Sequence, residues 1–463
     1  MPKLLETPAT RQRIFWGVAG ATGVLYLLLV YATQRHQTFN LLTLYTGLFA
    51  LYFVAYQWVK TSQEIRFFVG AAIIFRLLMF GTMPTLSDDI YRFLWDGYLN
   101  LAGINPFVQI PAEYIHQGQH IPGITPQLFE QLNSPQYFSV YPPLCQFIFW
   151  LAVKLFPHSH FGATTFIRGL IFLAELGSLT LISRLLTRYK KPQSNLLLYA
   201  LNPLVILELT GNLHFEAFVI FFLLLALYLL KGRQRILSAL AFSLAVITKL
   251  LPLMFLPLLL KRLRLPVTLS YYFAVGLLVL ASFVPFLNRD FLIGLKDSLL
   301  LYFQTFEFNA SVYYLVREVG YLFTGYNIIA TSGKILAVVS LSSILTYVAL
   351  EKPNASSLPK AFMWVLAIYL LFTTTVHPWY ILPLLTFSLF TRMRFVVVWT
   401  YLIFLSYAGY TATGYTEHLW LVILEYIPVI ALAIIEIWIK TKRPKKGKAS
   451  YLVVSDPATM RPL

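Results

Sequence analysis

Long apolar runs, separated by short basic clusters, dominate this chain and restrict what it can fold into. Of its 463 residues, 58% are hydrophobic and 12% are charged, whereas soluble domains carry about 25% charged residues. Several runs reach the roughly 20 residues that an α-helix needs to cross a bilayer. The sequence therefore predicts an all-α polytopic membrane protein with about 12–14 transmembrane helices.

The net charge of +17 is explained by membrane topology and does not require a polyanionic partner. The Lys and Arg residues lie in short clusters between apolar runs, which is typical of cytoplasmic loops. They predict a multi-pass protein of the plasma membrane, in contact with membrane lipids and with no nucleic-acid partner. Lys3 and the basic tail 441–463 place both termini in the cytoplasm. The single cysteine, Cys145, excludes an intrachain disulfide.

Residues 1–440 are predicted to form one transmembrane domain with two long extracytoplasmic loops, 84–160 and 287–327. The apolar piece 144–156 is too short to span and is predicted as an interfacial helix. Residues 236–260, interrupted by Lys249 and Pro252, are predicted as a hairpin of two short helices. The other predicted spans are 14–32, 40–59, 66–83, 164–187, 195–210, 213–230, 266–286, 328–350, 361–375, 379–391, 395–411 and 419–439.

The start of the first loop concentrates acidic residues in a chain that has only 19 of them. Asp88 and Asp89 are adjacent, and two close carboxylates can act as general base and orienting partner because like charges separate their pKa values. The alternative is a solvated helix start, since Ser and Asp are common N-cap residues. We predict Asp88 and Asp89 as catalytic residues, and Arg92 and Asp96 as substrate-binding residues.

Polar residues at the predicted outer helix ends are further candidates for substrate binding. Asn212, His214 and Glu216 share one outer turn, which is equally compatible with a hydrated helix–helix turn. Lys249 is a cation in an apolar stretch, where an ionisable group is costly and often functional. It suits a phosphate group, and the alternative is an ion pair with Glu216.

His377 lies beside Trp379 and Tyr380 at another outer helix end and is a candidate ligand for a phosphate or a sugar hydroxyl. The aromatic residues there need no function, because Trp and Tyr are common at membrane interfaces. Arg168 and Arg317 are weaker candidates for holding an anion. Glu175 lies in the middle of a predicted span and is expected to be a buried structural group. No metal-ligand spacing is present, and no metal or other cofactor is predicted.

Four short patterns between residues 80 and 260 resemble the GT-C fold glycosyltransferases. More narrowly, they resemble the polyprenyl-phosphate-mannose-dependent mannosyltransferases, including bacterial lipoglycan-type enzymes and the catalytic subunit of glycosylphosphatidylinositol mannosyltransferase I. The patterns are Asp88-Asp89 leading to Gly103-Ile104-Asn105-Pro106-Phe107, then Tyr141-Pro142-Pro143-Leu144, then Asn202-Pro203 before Gly211-Asn212-Leu213-His214-Phe215-Glu216, and finally Lys249 followed by Pro252.

The resemblance implies a hexose donor on a polyprenyl phosphate, with mannose as the family preference, and a lipid or glycan acceptor at the extracytoplasmic face. It implies an inverting reaction with an acidic base in the first loop, which is Asp88 or Asp89, and it adds Tyr141 to the substrate-binding residues. The eukaryotic relatives have Asp-x-Asp where this chain has adjacent aspartates, so the base is not assigned between the two. The alternative function is a flippase or transporter of a lipid-linked sugar, which would place its charges near the bilayer midplane.

Overall fold

The computed structural model describes residues 8–354 and 357–442. Lys3 and residues 443–463 of the predicted basic tail lie outside the described residues. The α-helices are α1 Pro8–Ala32, α2 Thr38–Trp58, α3 Ser62–Leu77, α4 Asp89–Leu101, α5 Pro111–His116, α6 Pro126–Glu130, α7 Pro143–Leu155, α8 His160–Arg188, α9 Leu197–Ala200, α10 Pro203–Val205, α11 Glu216–Lys231, α12 Arg235–Thr248, α13 Leu265–Phe283, α14 Arg289–Gln304, α15 Val312–Thr324, α16 Ile329–Leu350, α17 Leu358–Phe372, α18 Leu382–Ser388, α19 Phe395–Leu402 and α20 Leu419–Lys442.

Tighter and wider helical turns connect or extend several of these helices. The 3₁₀ segments are Leu78–Gly81, Gln193–Leu196, Leu251–Leu259, Val284–Phe286, Pro378–Ile381 and Ile403–Gly409, and Ile206–Gly211 is a π-helix. Within the described residues, extended pairing is limited to two isolated bridges, Phe308 with Thr375 and Tyr410 with Tyr415.

Six of the described helices are long and apolar enough to cross a bilayer. They are α1, α2, α8, α13 with its 3₁₀ extension, α16 and α20, and the bent pair 193–200 and 203–211 would make a seventh. The predicted class, an all-α polytopic membrane protein, is confirmed. Four shorter apolar helices accompany them: Pro143–Leu155, Arg235–Thr248, Leu358–Phe372 and Phe395–Gly409. The predicted total of about 12–14 spans stays a prediction.

The predicted span 195–210 is wrong as a continuous helix. The two halves meet at Asn202 and Pro203 and are bent by 51°. The Asn202 side chain accepts a hydrogen bond from the amide of Leu204 and so caps a new helix, while Pro203 has no amide hydrogen to continue the previous one. Segments 379–391 and 395–411 are likewise mixtures of short α and 3₁₀ turns.

Two segments predicted as short helices are short helices in the structure, while the interfacial position of the first and the hairpin shape of the second stay predictions. The apolar piece predicted at 144–156 is α7, a helix of 13 residues. The stretch 236–260 consists of α12 and the 3₁₀ segment Leu251–Leu259, with Lys249 in the extended conformation at the break. The second long loop, 287–327, contains two helices, α14 and α15.

Side-chain contacts gather many Lys and Arg residues at one end of the molecule, which we call the basic end: 58–64, 184–195, 228–235, 261–264 and 389–394. Arg11 bonds the Glu64 carboxylate there, with Nη2 to Oε1 at 2.6 Å. Arg188 donates to the carbonyl of Tyr228 at 2.9 Å, and Arg394 donates to Asn195 Oδ1 at 3.1 Å. Arg35 lies in the short connection between the far end of α1 and the start of α2, so it marks the opposite end.

The core contains a fully buried ion pair between α3 and α8. Arg76 Nη2 lies 3.0 Å from Glu175 Oε1, and neither side chain is exposed. The hydroxyl of Thr210 donates to the other carboxylate oxygen, and Arg76 also donates to the carbonyl of Ala200 at 2.8 Å. The prediction that Glu175 is buried is therefore confirmed, and its partners are those expected of a structural group.

Candidate active site

A cavity of about 410 Å³ opens at the end of the molecule opposite the basic end. The start of α4, the α6–α7 connection, the start of α11 and the break after α12 form one side of it. Segments 306–308, 377–380 and 410–415 form the other side. Nine residues predicted from the sequence line it together: Asp88, Asp89, Arg92, Tyr141, His214, Glu216, Lys249, His377 and Tyr380.

The paired aspartates stand at the first turn of α4 and have different partners. Asp88 Oδ2 lies 2.7 Å from Arg35 Nη2, in an ion pair that is partly exposed. The Arg35 guanidinium also covers the ring of Tyr410 at 4.3 Å. Asp89 Oδ1 accepts a hydrogen bond from Asn133 Nδ2 at 2.8 Å. Adjacent carboxylates therefore contact different walls of the cavity.

Lys249 follows the last residue of α12, where the chain becomes extended and the side chain reaches the cavity. Its ammonium group forms an ion pair with Glu216 at the start of α11 and lies 3.9 Å from the ring centre of Tyr380. The Glu216 side chain is only 5% exposed, whereas that of Lys249 is 32% exposed. The ion pair that the sequence left open is present, and it still presents the cation to the cavity.

Three aromatic side chains form a stack along the cavity wall. The His214 ring lies parallel to Trp379 at 3.6 Å, and His377 lies against Trp379 at 4.4 Å with an angle of 2° between the rings. His214 Nε2 faces Asp89 Oδ2 at 3.7 Å. His214 is buried and His377 is half-buried. Desolvation together with the charge of Lys249 holds the pKa of His377 well below its usual value.

Asp96 and Asn212, also predicted as substrate ligands, do not line the cavity. Asp96 is fully buried, and it accepts hydrogen bonds from Arg92 at 2.8 Å, from Ser139 at 2.5 Å and from Gln146 at 3.0 Å. Asn212 donates to Glu208 Oε2 at 3.1 Å. Asp96 supports Arg92, which lines the cavity. Asn212 accepts a hydrogen bond from the amide of Leu86, which also lines the cavity, at 3.4 Å.

The two weaker cation candidates have other partners. Arg168 is buried, donates to the backbone carbonyls of Thr82, Thr210 and Gly211, and does not line the cavity. Arg317 pairs with Glu307, which lines the cavity, at 2.7 Å, and with Glu318 at 2.9 Å.

The comparison with protein families is decisive for residues 16–263, more than half of the chain. They match the family described as alpha-(1->6)-mannopyranosyltransferase, N-terminal domain. The chain belongs to this mannosyltransferase family. It is also 29% identical over 157 residues to alpha-(1->6)-mannopyranosyltransferase B of Corynebacterium glutamicum. That match covers 34% of this chain and only 25% of the relative.

The resemblance to a mannosyltransferase family is thus confirmed. The family match includes Asp88, Asp89, His214, Glu216 and Lys249, but the cavity wall formed by 306–308, 377–380 and 410–415 lies beyond its end.

Sequence reasoning missed several residues of this mannosyltransferase-family cavity. Arg35 carried a usable signal, because it is a cation in a short loop predicted to lie on the extracytoplasmic side, where Lys and Arg are uncommon. Asn133, Glu307, Tyr410 and Tyr415 also line the cavity. They lie far along the chain from Asp88 and belong to no recognised motif, so only the fold reveals them.

Proposed function

We propose that this protein is an inverting mannosyltransferase that moves a hexose, preferably mannose, from a polyprenyl phosphate to a lipid or glycan acceptor. The observation that carries the proposal is one cavity in which Asp88 and Asp89 lie with Lys249 among the lining residues. A carboxylate base and a cation are the two groups that this transfer needs most. Membership in a mannosyltransferase family supports the choice of sugar.

The reaction can be written with these groups alone. One aspartate takes the proton of the acceptor hydroxyl, and the oxygen attacks the anomeric carbon. The bond to the lipid phosphate breaks on the opposite face, and Lys249 stabilises the negative charge of the leaving phosphate. A single displacement inverts the anomeric configuration. Phosphate leaves without protonation, so no second carboxylic acid of the glycosidase type is required.

The remaining cavity residues suit a sugar substrate. Tyr141, Tyr380 and Tyr410 provide aromatic faces, and the His377 ring adds a neutral polar edge. Such a mixture of apolar surface with a few convergent polar groups is typical of small-molecule sites. We assign Tyr141, Tyr380 and His377 to contacts with the sugar and the phosphate.

The distribution of charge supports an extracytoplasmic active site in the plasma membrane. The basic end collects the short-loop Lys and Arg residues that mark the cytoplasmic side of membrane proteins. The cavity lies at the other end, close to the two loops predicted to be extracytoplasmic. In this orientation residues 1–440 form one transmembrane domain whose termini lie in the cytoplasm.

The test uses purified protein in detergent with radiolabelled polyprenyl-phosphate-mannose and candidate lipid acceptors. We expect a mannosylated product without a sealed membrane, and loss of product in Asp88→Asn, Asp89→Asn and the double variant. Asp290→Asn, at an exposed position, is the matched control and should keep full activity. Sugar-lipid movement in sealed vesicles without any product in detergent would indicate a flippase. Full activity in the double variant would exclude the base assignment.

A further inference from the structure

His214 is held in the cavity wall with one ring nitrogen engaged and the other directed at Asp89. Nδ1 lies 2.9 Å from the carbonyl oxygen of Glu208 and 3.1 Å from its Oε2. Nε2 is buried, has no hydrogen bond within the described part of the chain, and lies 3.7 Å from Asp89 Oδ2. A buried ring nitrogen without a partner calls for an explanation, because such groups usually find one.

The backbone around His214 is built to fix this orientation. Glu208 lies in the π-helix Ile206–Gly211, and π-turns are frequent at functional sites. Leu213 has a positive φ of 66°, a conformation that costs free energy in a residue other than glycine. The Glu208 carboxylate is itself fixed, because Tyr407 donates to its Oε1 at 2.6 Å.

The partners of the two aspartates separate their possible roles. The Asp88 carboxylate is bound to Arg35 at 2.7 Å, so its negative charge already has a cationic partner. Asp89 has an amide donor, Asn133, on one oxygen, while its second oxygen faces His214. Within residues 8–354 and 357–442, only Asp89 of the two faces a second buried base to which its proton can pass.

We infer that Asp89 is the general base and that His214, held by Glu208, is a positioning residue that receives the proton from Asp89. This inference rests on the proposed transferase function. The acceptor O–H bond breaks as its oxygen forms the bond to the anomeric carbon, and the bond to phosphate breaks with its electron pair. The proton passes to Asp89 Oδ2 and then to His214 Nε2, which gives an imidazolium that the Glu208 carboxylate stabilises. Water takes the proton after the product leaves.

The spacing between Asp89 and His214 is compatible with this transfer. At 3.7 Å the two atoms are slightly beyond a hydrogen bond, and catalytic hydrogen bonds are often long before substrate binds and shorten in the complex. Trp379 prevents the imidazole from moving away, since its ring lies 3.6 Å from that of His214.

The charges facing His214 favour its imidazolium form. Burial opposes the charged form, but the hydrogen bond to Glu208 and the charges of Glu208, Asp89 and Glu216 outweigh burial and raise the pKa of His214. The nearest other groups that can carry positive charge are Lys249, which is paired with Glu216, and His377, whose ring lies against Trp379.

The first test measures the coupling without any activity assay. Hydrogen–deuterium exchange at the imidazole C2 position, followed by mass spectrometry over a pH series, reports the pKa of each histidine. We expect the pKa of His214 to lie above 6.5 in the wild-type protein and to fall in Asp89→Asn. The matched variant Asp88→Asn should change it much less. Equal values in the two variants would overturn the inference, whatever the protein catalyses.

The second test separates this inference from the proposed function. In His214→Asn and Glu208→Gln we expect kcat to fall about 100-fold, which is typical of losing a proton-transfer group, while the KM for the donor stays within twofold. Because His214 must be neutral to accept a proton, wild-type kcat should fall below the pKa of His214. Glu208→Gln removes a negative charge beside His214 and should lower the pKa of His214. The fall of kcat on the acidic side of the pH profile should therefore move to lower pH in this variant.

His120→Asn, at an exposed position, is the control for replacing a histidine. Suppose that the wild-type protein and His120→Asn transfer sugar and that His214→Asn has the wild-type kcat and the same fall of kcat at acidic pH. The inference about His214 is then wrong, while the proposed transferase function is retained. If neither transfers any sugar but the exchange coupling is present, the proposed function fails while the Asp89–His214 pairing is retained.

Discussion

At the scale of single residues, the cavity is nearly balanced in charge before any substrate enters. Among the described residues, Arg35, Arg92 and Lys249 are the Lys and Arg side chains that line it, and each bonds a carboxylate: Asp88, Asp96 and Glu216. The anionic donor that we propose would therefore compete with a carboxylate for its cation. Lys249 is the cation best placed to exchange partners, because a third of its side chain is exposed whereas Arg92 is buried.

Replacing Lys249 should separate donor binding from stability. We expect Lys249→Met to raise the KM for the donor at least tenfold, because the leaving phosphate loses its cation. It should also reduce the free energy of unfolding by about 1–2 kcal/mol, since buried Glu216 loses its partner, although partial exposure of the pair limits the cost. The double variant Lys249→Met/Glu216→Gln should recover the stability but not the KM. An unchanged donor KM in both variants would remove Lys249 from the site.

Glu175 should behave in the opposite way, as a residue of the fold and not of the reaction. Glu175→Gln leaves Arg76 as a buried charge without its carboxylate, a change that typically costs about 3–5 kcal/mol. We expect a clear fall in the melting temperature in detergent, with the KM for the donor unchanged in the protein that remains folded. Glu318→Gln is the control, because Glu318 is half exposed. A melting temperature as high as that of the control would contradict this prediction.

At the scale of helices, the sequence predicts where helices are short better than where they bend. Lys249 and Pro252 interrupt an apolar run visibly, so the break between α12 and Leu251–Leu259 could be predicted. The break at Asn202-Pro203 could not, because each half is apolar and their summed length matches a span. Two local features cause the break: the Asn202 side chain caps the following helix, and Pro203 lacks the amide hydrogen that would continue the preceding one.

Gly97 tests a close contact between α4 and α7, two helices whose starts contribute to the cavity wall. A Cβ at this position of α4 would lie 2.7 Å from the carbonyl oxygen of Phe149 in α7. We expect Gly97→Ala to destabilise the protein by about 1–3 kcal/mol through overpacking, although alanine favours helices over glycine. Gly169→Ala in α8 is the matched control, because nothing lies within 4 Å of its added Cβ. If both variants have equal melting temperatures, α4 and α7 can separate without cost.

At the scale of the whole molecule, the cavity joins parts of the chain that local patterns cannot connect. Arg35 reaches Asp88 across 53 positions, and Tyr407 reaches Glu208 across 199. The motifs between residues 80 and 260 predicted one side of the site because each motif is local in sequence. The opposite side depends on packing between the family-matched region and the helices after residue 263. Because no local motif encodes this packing, the sequence pointed to only a few separate residues there, such as His377 and Tyr380.

The proposed orientation of the molecule in the membrane rests on its two chemically different ends and can be measured directly. Cys145 is buried, so the wild-type protein should not react with a membrane-impermeant maleimide and serves as its own control. Thr411→Cys adds an exposed thiol near the cavity, and Gln234→Cys adds one at the basic end. Because basic loops remain in the cytoplasm, we expect labelling of Thr411→Cys in intact cells, and of Gln234→Cys only after permeabilisation. The reverse pattern would place the cavity in the cytoplasm and contradict transfer at the extracytoplasmic face.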